Sequence, residues 1–178
     1  NNYTYMYYTN SEAKTQLESW YQTNIGSKAD LASSVATGDY YCEQAKAKYF
    51  DGVTSGSATM TTYSKYTPDF KCTTDGNGKG ILNASVGLLT YDEVVYAGGY
   101  YNQTNSNYYL YNSAITWWTM SPAGFSSGYS NVWRVIGTGY VDYHYVDMTY
   151  RLRPVLNLNA NTKISDGDGT ENNPFVVE

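Results

Sequence analysis

His144 is the only histidine in the chain, and it stands in Tyr143-His144-Tyr145 with no serine or cysteine nucleophile motif beside it. A single imidazole cannot build a multi-histidine metal centre. Its remaining use is as a ring that faces a ligand. Cys42 and Cys72 have a spacing that fits neither a zinc nor a redox motif. Asp166-Gly167-Asp168-Gly169-Thr170-Glu171 alternates acidic residues with glycine. It lacks the third ligand position and the distant glutamate of a calcium loop. The same Asp and Gly residues make a tight turn, so a turn is expected and no metal. Asp92 and Glu93 form a carboxylate pair at the start of a helix, where capping accounts for them. Neither Gly-x-Ser-x-Gly, a phosphate loop nor a dinucleotide fingerprint occurs. The expectation is therefore a protein without catalysis and without a cofactor. A hydrolase would instead need two carboxylates roughly 5–10 Å apart in a cleft.

Binding chemistry is what the residues do supply. The chain carries 22 tyrosines, and only 15% of its residues are charged. Between positions 126 and 150, Tyr129, Tyr140, Tyr143, His144, Tyr145 and Tyr150 alternate with Asn131, Arg134, Asp142 and Asp147. Tyrosine offers broad, fairly rigid amphipathic contact area, and small polar residues add adaptable hydrogen bonds, the mixture that antibody paratopes use. These ten residues are the predicted ligand-binding set. Replacing Tyr129, Tyr140, Tyr143 or Tyr145 by alanine is accordingly expected to leave stability nearly unchanged. Trp20, Trp133 and one of Trp117 and Trp118 are assigned to the core, since tryptophan is highly buried on average. So many tyrosines cannot all be core, because each buried hydroxyl needs a partner.

The net charge of −5, with no basic cluster, argues against nucleic acid as a partner. No apolar stretch is long enough to insert in a membrane. Few charges, many aromatics and a cysteine pair favour a secreted or cell-surface setting. In that setting a Cys42–Cys72 disulfide is favoured over two buried free thiols. The chain opens on Asn1 without Met and reads as a fragment or mature part of a longer protein. Asn2, Asn83 and Asn102 lie in sequons that matter only in a glycosylating host.

The elements that must position these residues read as α+β in a single domain over 1–178. Tyr3–Tyr8, rich in aromatic residues, predicts a strand. Thr9 and Glu12 have capping-box spacing. Ala13, Leu17, Trp20 and Tyr21 then define one face of a helix over 11–24, stopped at Gly26. Residues 28–35 predict a short helix, and Tyr40–Cys42 a buried stretch. Residues 51–65 and 75–80 read as a loop and a turn. Thr90 to Glu93 is a second capping box, opening a two-turn helix closed by Gly98-Gly99. Residues 100–113 read as loop. Short strands follow at 115–120 (before a turn at Ser121-Pro122), 132–136, 140–145 and 155–158. Ile164 and Phe175–Val177 form the arms of a hairpin.

Four segments resemble a family of uncharacterised tyrosine-rich surface proteins of gut Firmicutes and related cell-wall-less bacteria. They are Ser11–Lys14 through Trp20–Asn24, Val86–Val94 with Ala97–Gly99, Trp118–Pro122, and Arg153–Leu158 with Gly167–Thr170 and Asn173-Pro174. Cys42-Glu43-Gln44-Ala45 departs from that family's Cys-x-Asp-Arg, and Arg151 and Leu152 replace its Gly and Val. The second half also resembles C-type lectin-like domains of the formylglycine-generating-enzyme type. That likeness implies paired N- and C-terminal strands, and a buried structural hydrogen-bond donor at Arg153. No cysteine follows Cys72, so the oxidase activity is not implied. The variable proteins of diversity-generating retroelements share that fold, which implies a hypervariable face just before Arg153. A protein or glycan ligand on another cell or host surface is the partner these likenesses imply. A purely structural surface module is the alternative, and a hydrolase the more remote one.

Overall fold

The structure, a computed structural model, describes residues 3–43, 49–50, 67–72, 80–170 and 172–178. The loop predicted at 51–65 and nearly all of the turn at 75–80 lie outside the described residues. The architecture is α+β, with short helices and several small sheets. Among the described residues no helix is long and apolar enough to cross a membrane.

The chain begins with two 3-10 turns, Tyr3–Met6 and Tyr8–Asn10, and not with the predicted strand. Met6, Tyr7 and Tyr8 are buried, and the Tyr8 hydroxyl donates to the Val86 carbonyl at 3.0 Å. Tertiary burial thus overrides the β preference of the tyrosine run. The N-terminal segment pairs with no strand, so the implied pairing of the two chain ends is absent.

Helix α1 is Glu12–Tyr21 and continues through a π turn to Gly26. Its cap is Ser11, whose hydroxyl accepts from Lys14 N, in place of the predicted Thr9. Thr9 instead donates its amide and hydroxyl to Glu43 Oε2, at 2.7 and 2.8 Å. Leu17 and Tyr21, four residues apart, are the buried face, whereas Trp20 is 39% exposed and does not join the core as expected. Helix α2 is Ala29–Ala32, within the predicted span. Strand β1 (Val35–Ala36) pairs ahead with β9 (Asn157–Leu158), and β2 (Gly38–Glu43) with β4 (Gly80–Ala84). In β2 Tyr41 and Glu43 are buried, while Tyr40 is exposed and Cys42 half-buried. Alternation along the strand thus replaces the continuous buried stretch. Helix α3, Tyr91–Tyr96, carries the predicted capping box with both reciprocal bonds in place.

The five-stranded sheet has the order β3-β6-β7-β8-β5. Its members are β3 (Tyr49–Phe50), β5 (Tyr100–Tyr101), β6 (Trp117–Ser126), β7 (Tyr129–Val135) and β8 (Tyr140–Tyr145). Strands β6, β7 and β8 form an antiparallel meander, and β3 and β5 join its two edges in parallel. Strand β6 does not turn at Ser121-Pro122. It runs on to Ser126, with register irregularities on both sides of Pro122, the position at which a sheet tolerates a residue lacking an N–H. The turn falls instead at Ser127-Gly128, both at positive φ, as a two-residue hairpin of the twist-matched kind requires. The last strands, β10 (Ile164–Asp166) and β11 (Val176–Val177), form the predicted hairpin.

One core lies between α3 and the sheet, around Tyr91, Val94, Trp117, Trp133 and Val141. A second gathers Tyr8, Leu17, Tyr21, Tyr41, Val86 and Met120. Burial pushes the Tyr108 hydroxyl up to about 12, with Arg153 pulling the other way. Burial also raises Tyr8, helped by the nearby Glu18, Tyr41 and Glu43. In the unfolded chain these hydroxyls ionise near 10, so above that pH the unfolded state loses protons first. Stability should therefore stay level up to about pH 10 and fall as pH rises towards 12. Denaturant midpoints across that range check this, and an unchanged midpoint at the upper end would contradict it.

Candidate functional site

Side chains alternate across a strand, and the β7–β8 register therefore divides the predicted binding set between two faces. Trp133 stands opposite Tyr143 and Asn131 opposite Tyr145, while Arg134 faces Asp142 and Val132 faces His144. The first pairs look into or along the core and the second pairs look away from it. Asn131 is buried and its amide donates to the Tyr129 carbonyl at 3.2 Å, out of a ligand's reach. Tyr143 packs edge-on against Trp133 at 5.5 Å and stacks on Tyr101 at 6.2 Å. It belongs to the core wall, and its replacement should not be neutral. Tyr129 and Tyr145 pair at 4.7 Å at the sheet's end, 43% and 40% exposed. The Tyr140 hydroxyl is hydrogen-bonded to Asn102 Oδ1.

On the opposite face Arg134 is held from several sides. It bridges Asp142 at 3.2 Å, donates to the Tyr150 hydroxyl, and lies 4.8 Å above the Tyr150 ring. Trp118 meets the same ring at 4.8 Å, and His144 at 6.1 Å. This cluster fixes Tyr150 as one wall of a groove of about 490 Å³. The volume lies within the range of small-ligand and peptide sites. Buried Met6, Tyr8, Leu88 and Met120 contribute to its lining, with exposed Tyr5 and half-buried Trp118 and Tyr150 as further aromatic elements. The start of α1 supplies Ser11, Glu12 and Gln16 on one side, and Asp147, Met148 and Thr149 line the other. The 146–151 side is anchored. Val146 N donates to Ser130 O, Met148 N to Tyr145 O, and Arg151 N to Thr116 O. A wall fixed in this way loses little freedom when a ligand arrives.

Of the ten predicted binding residues, the groove is lined by Asp147 and Tyr150 alone. Arg134, Asp142 and His144 stand behind Tyr150 as supports. Sequence reasoning missed the N-terminal contribution and Trp118. The adjacent pair Trp117-Trp118 carried a usable signal, because in a strand one of the two must point away from the core. Trp117 is 1% exposed and Trp118 half-buried.

Arg153 lies under the opposite side of the sheet. It donates to the Leu110 carbonyl at 2.8 Å and sits 4.9 Å from the Trp117 ring. Arg153→Ala should cost about 1–3 kcal/mol, because a charged donor and a cation–π contact are lost together. Thermal melts check this, and an unchanged melting temperature would show the guanidinium to be dispensable. At the C-terminal turn, the Asp168 carboxylate accepts from Thr170 N at 3.0 Å and Asp166 from Gly167 N at 2.7 Å. Bonds from Thr170 hold the Asp168 carboxyl below its ordinary value. Cys42 and Cys72 form a disulfide, with Cα atoms 5.7 Å apart. No family model, curated protein or solved structure matches the chain, so the functional reading rests on this geometry.

Proposed function

We propose that the protein is a secreted or cell-surface ligand-binding domain, adhesin-like or lectin-like, without catalytic activity. The observation that carries this reading is the groove: a concave site lined by four aromatic residues, Tyr5, Tyr8, Trp118 and Tyr150, together with polar ones. Such mixed lining is typical of binding pockets. The Cys42–Cys72 disulfide supports an oxidising compartment. A glycoside hydrolase keeps one carboxyl protonated by sheltering it from water. The groove's two carboxylates, Glu12 and Asp147, are both exposed. A C-type lectin-like arrangement is the finer fold reading, supported by the aromatic meander and by Arg153, although the terminal strand pair of such domains has no counterpart here.

The test is a screen of glycans, peptides and proteins against the isolated domain, repeated with variants. Trp118→Ala should weaken the bound ligand by about thirtyfold or more, as removal of a hot spot does. Tyr129→Ala and Tyr145→Ala should change affinity by no more than about twofold, as ordinary surface changes do. The reverse pattern would move the site to the exposed tyrosine pair at the sheet's end.

A further inference from the structure

We propose that Tyr129 and Tyr145 are a modification site, at which a haem peroxidase and hydrogen peroxide join the two rings into one dityrosine crosslink. The inference goes beyond the binding reading and stands whether or not the groove takes a ligand. Asn131 is the direct cross-strand partner of Tyr145. Tyr129, two residues before Asn131, is therefore the diagonal neighbour of Tyr145 on the same face of the sheet. The two rings meet with centroids 4.7 Å apart and planes tilted by 35°. They are 43% and 40% exposed, so an oxidant in solution reaches both and each ring has room to swing against the other.

Other tyrosines lack one of these two conditions. Tyr5, Tyr40 and Tyr109 are more exposed, but none of them touches a ring among the described residues. Tyr96 meets Phe70, not a second phenol. Tyr101 and Tyr143 stack at 6.2 Å, but both also pack edge-on against fully buried Trp133, on the core side. In the reaction each phenol gives one electron and its hydroxyl proton to the peroxidase, itself oxidised by hydrogen peroxide. The two phenoxyl radicals join through the ring carbons ortho to their oxygens. The hydrogens on those carbons then leave as the rings regain aromaticity and the hydroxyls their protons. Two ring C–H bonds break, one C–C bond forms, and one hydrogen peroxide is reduced to two waters. Because the fold already holds the rings together, coupling within one molecule outruns encounters between molecules in dilute solution. The product ties the start of β7 to the end of β8.

The experiment treats the dilute, disulfide-bonded protein with a haem peroxidase and hydrogen peroxide. Dityrosine fluorescence is read on the monomer after denaturing size separation, and the crosslink is mapped by mass spectrometry of a digest. The monomer should fluoresce, and the peptides carrying Tyr129 and Tyr145 should be joined with the loss of two hydrogens. Oxidation of exposed Met148 adds oxygen and is told apart by its gain in mass. Tyr129→Phe and Tyr145→Phe should each abolish the monomer fluorescence, and Tyr109→Phe should leave it unchanged. Fluorescence confined to dimers, a crosslink mapped to other tyrosines, a signal that persists in Tyr129→Phe, or no fluorescence at all would each overturn the proposal. None of these outcomes bears on the groove, whose own test is a ligand that depends on Trp118.

Discussion

Replacing Trp133 by alanine should lower the free energy of unfolding by about 3–5 kcal/mol, the largest effect expected of any single change in the chain. Trp133 is fully buried at the centre of the sheet. Tyr91 lies over it at 4.4 Å, and Tyr101 and Tyr143 meet it edge-on at 5.4 and 5.5 Å. Each such aromatic pair adds roughly 0.5–1.5 kcal/mol beyond its buried area. The surrounding rings cannot collapse into the space left behind. Tyr91 is anchored at the first turn of α3, where its amide donates to Ser121 Oγ at 2.9 Å, and Tyr101 and Tyr143 are set by strand pairing. The measurement is the urea midpoint with an unchanged slope. A loss below about 1 kcal/mol would mean that the core repacks around the vacancy.

Removing the disulfide, by Cys42→Ser with Cys72→Ser, should cost about 3–4 kcal/mol. The bond closes a loop spanning 30 residues, and opening it returns that much freedom to the unfolded chain. It also releases the 67–72 segment, where Asp69 N donates to Asp92 Oδ1 at 2.9 Å and Phe70 meets Tyr96 at 5.6 Å. Melting temperatures of the oxidised protein and the double variant measure the difference. Identical values would show that the bond contributes nothing beyond what its surroundings already hold.

What could be read from the residues alone was whatever depended on short-range signals. The Thr90–Glu93 box, the Gly98-Gly99 stop and the C-terminal hairpin each rest on a few adjacent residues, and each stands where it was expected. Tyr3–Tyr8 did not follow its propensity, because Met6, Tyr7 and Tyr8 are claimed by distant partners such as Val86. Trp20 followed the helical period only approximately, falling at the margin of the face set by Leu17 and Tyr21. The candidate site failed for a related reason. Composition identified 126–150 as aromatic and polar, but which side each residue takes depends on alternation and register. Alternation was available and would have separated Asn131 and Trp133 from Val132 and Arg134. The groove itself was not legible. It exists only where the N-terminal turns and the start of α1 come against Trp118 and the 146–150 segment, more than a hundred residues later in the chain.

The edges of the central sheet have a consequence for solubility. Its long strands, β6, β7 and β8, are rich in aromatic residues, and the two-residue strands β3 and β5 cover part of the outer edges of β6 and β8, at Gly124–Phe125 and Tyr140–Val141, while Trp118 N and Met120 N of β6 are taken by the Arg151 and Leu89 carbonyls. Edges left unpaired recruit further strands from other molecules. The cap on β6 belongs to the stretch that the disulfide brackets, since Tyr49-Phe50 lies between Cys42 and Cys72. A reduced sample should accordingly be lost to edge-to-edge aggregation, seen as light scattering that rises with protein concentration, before it unfolds completely.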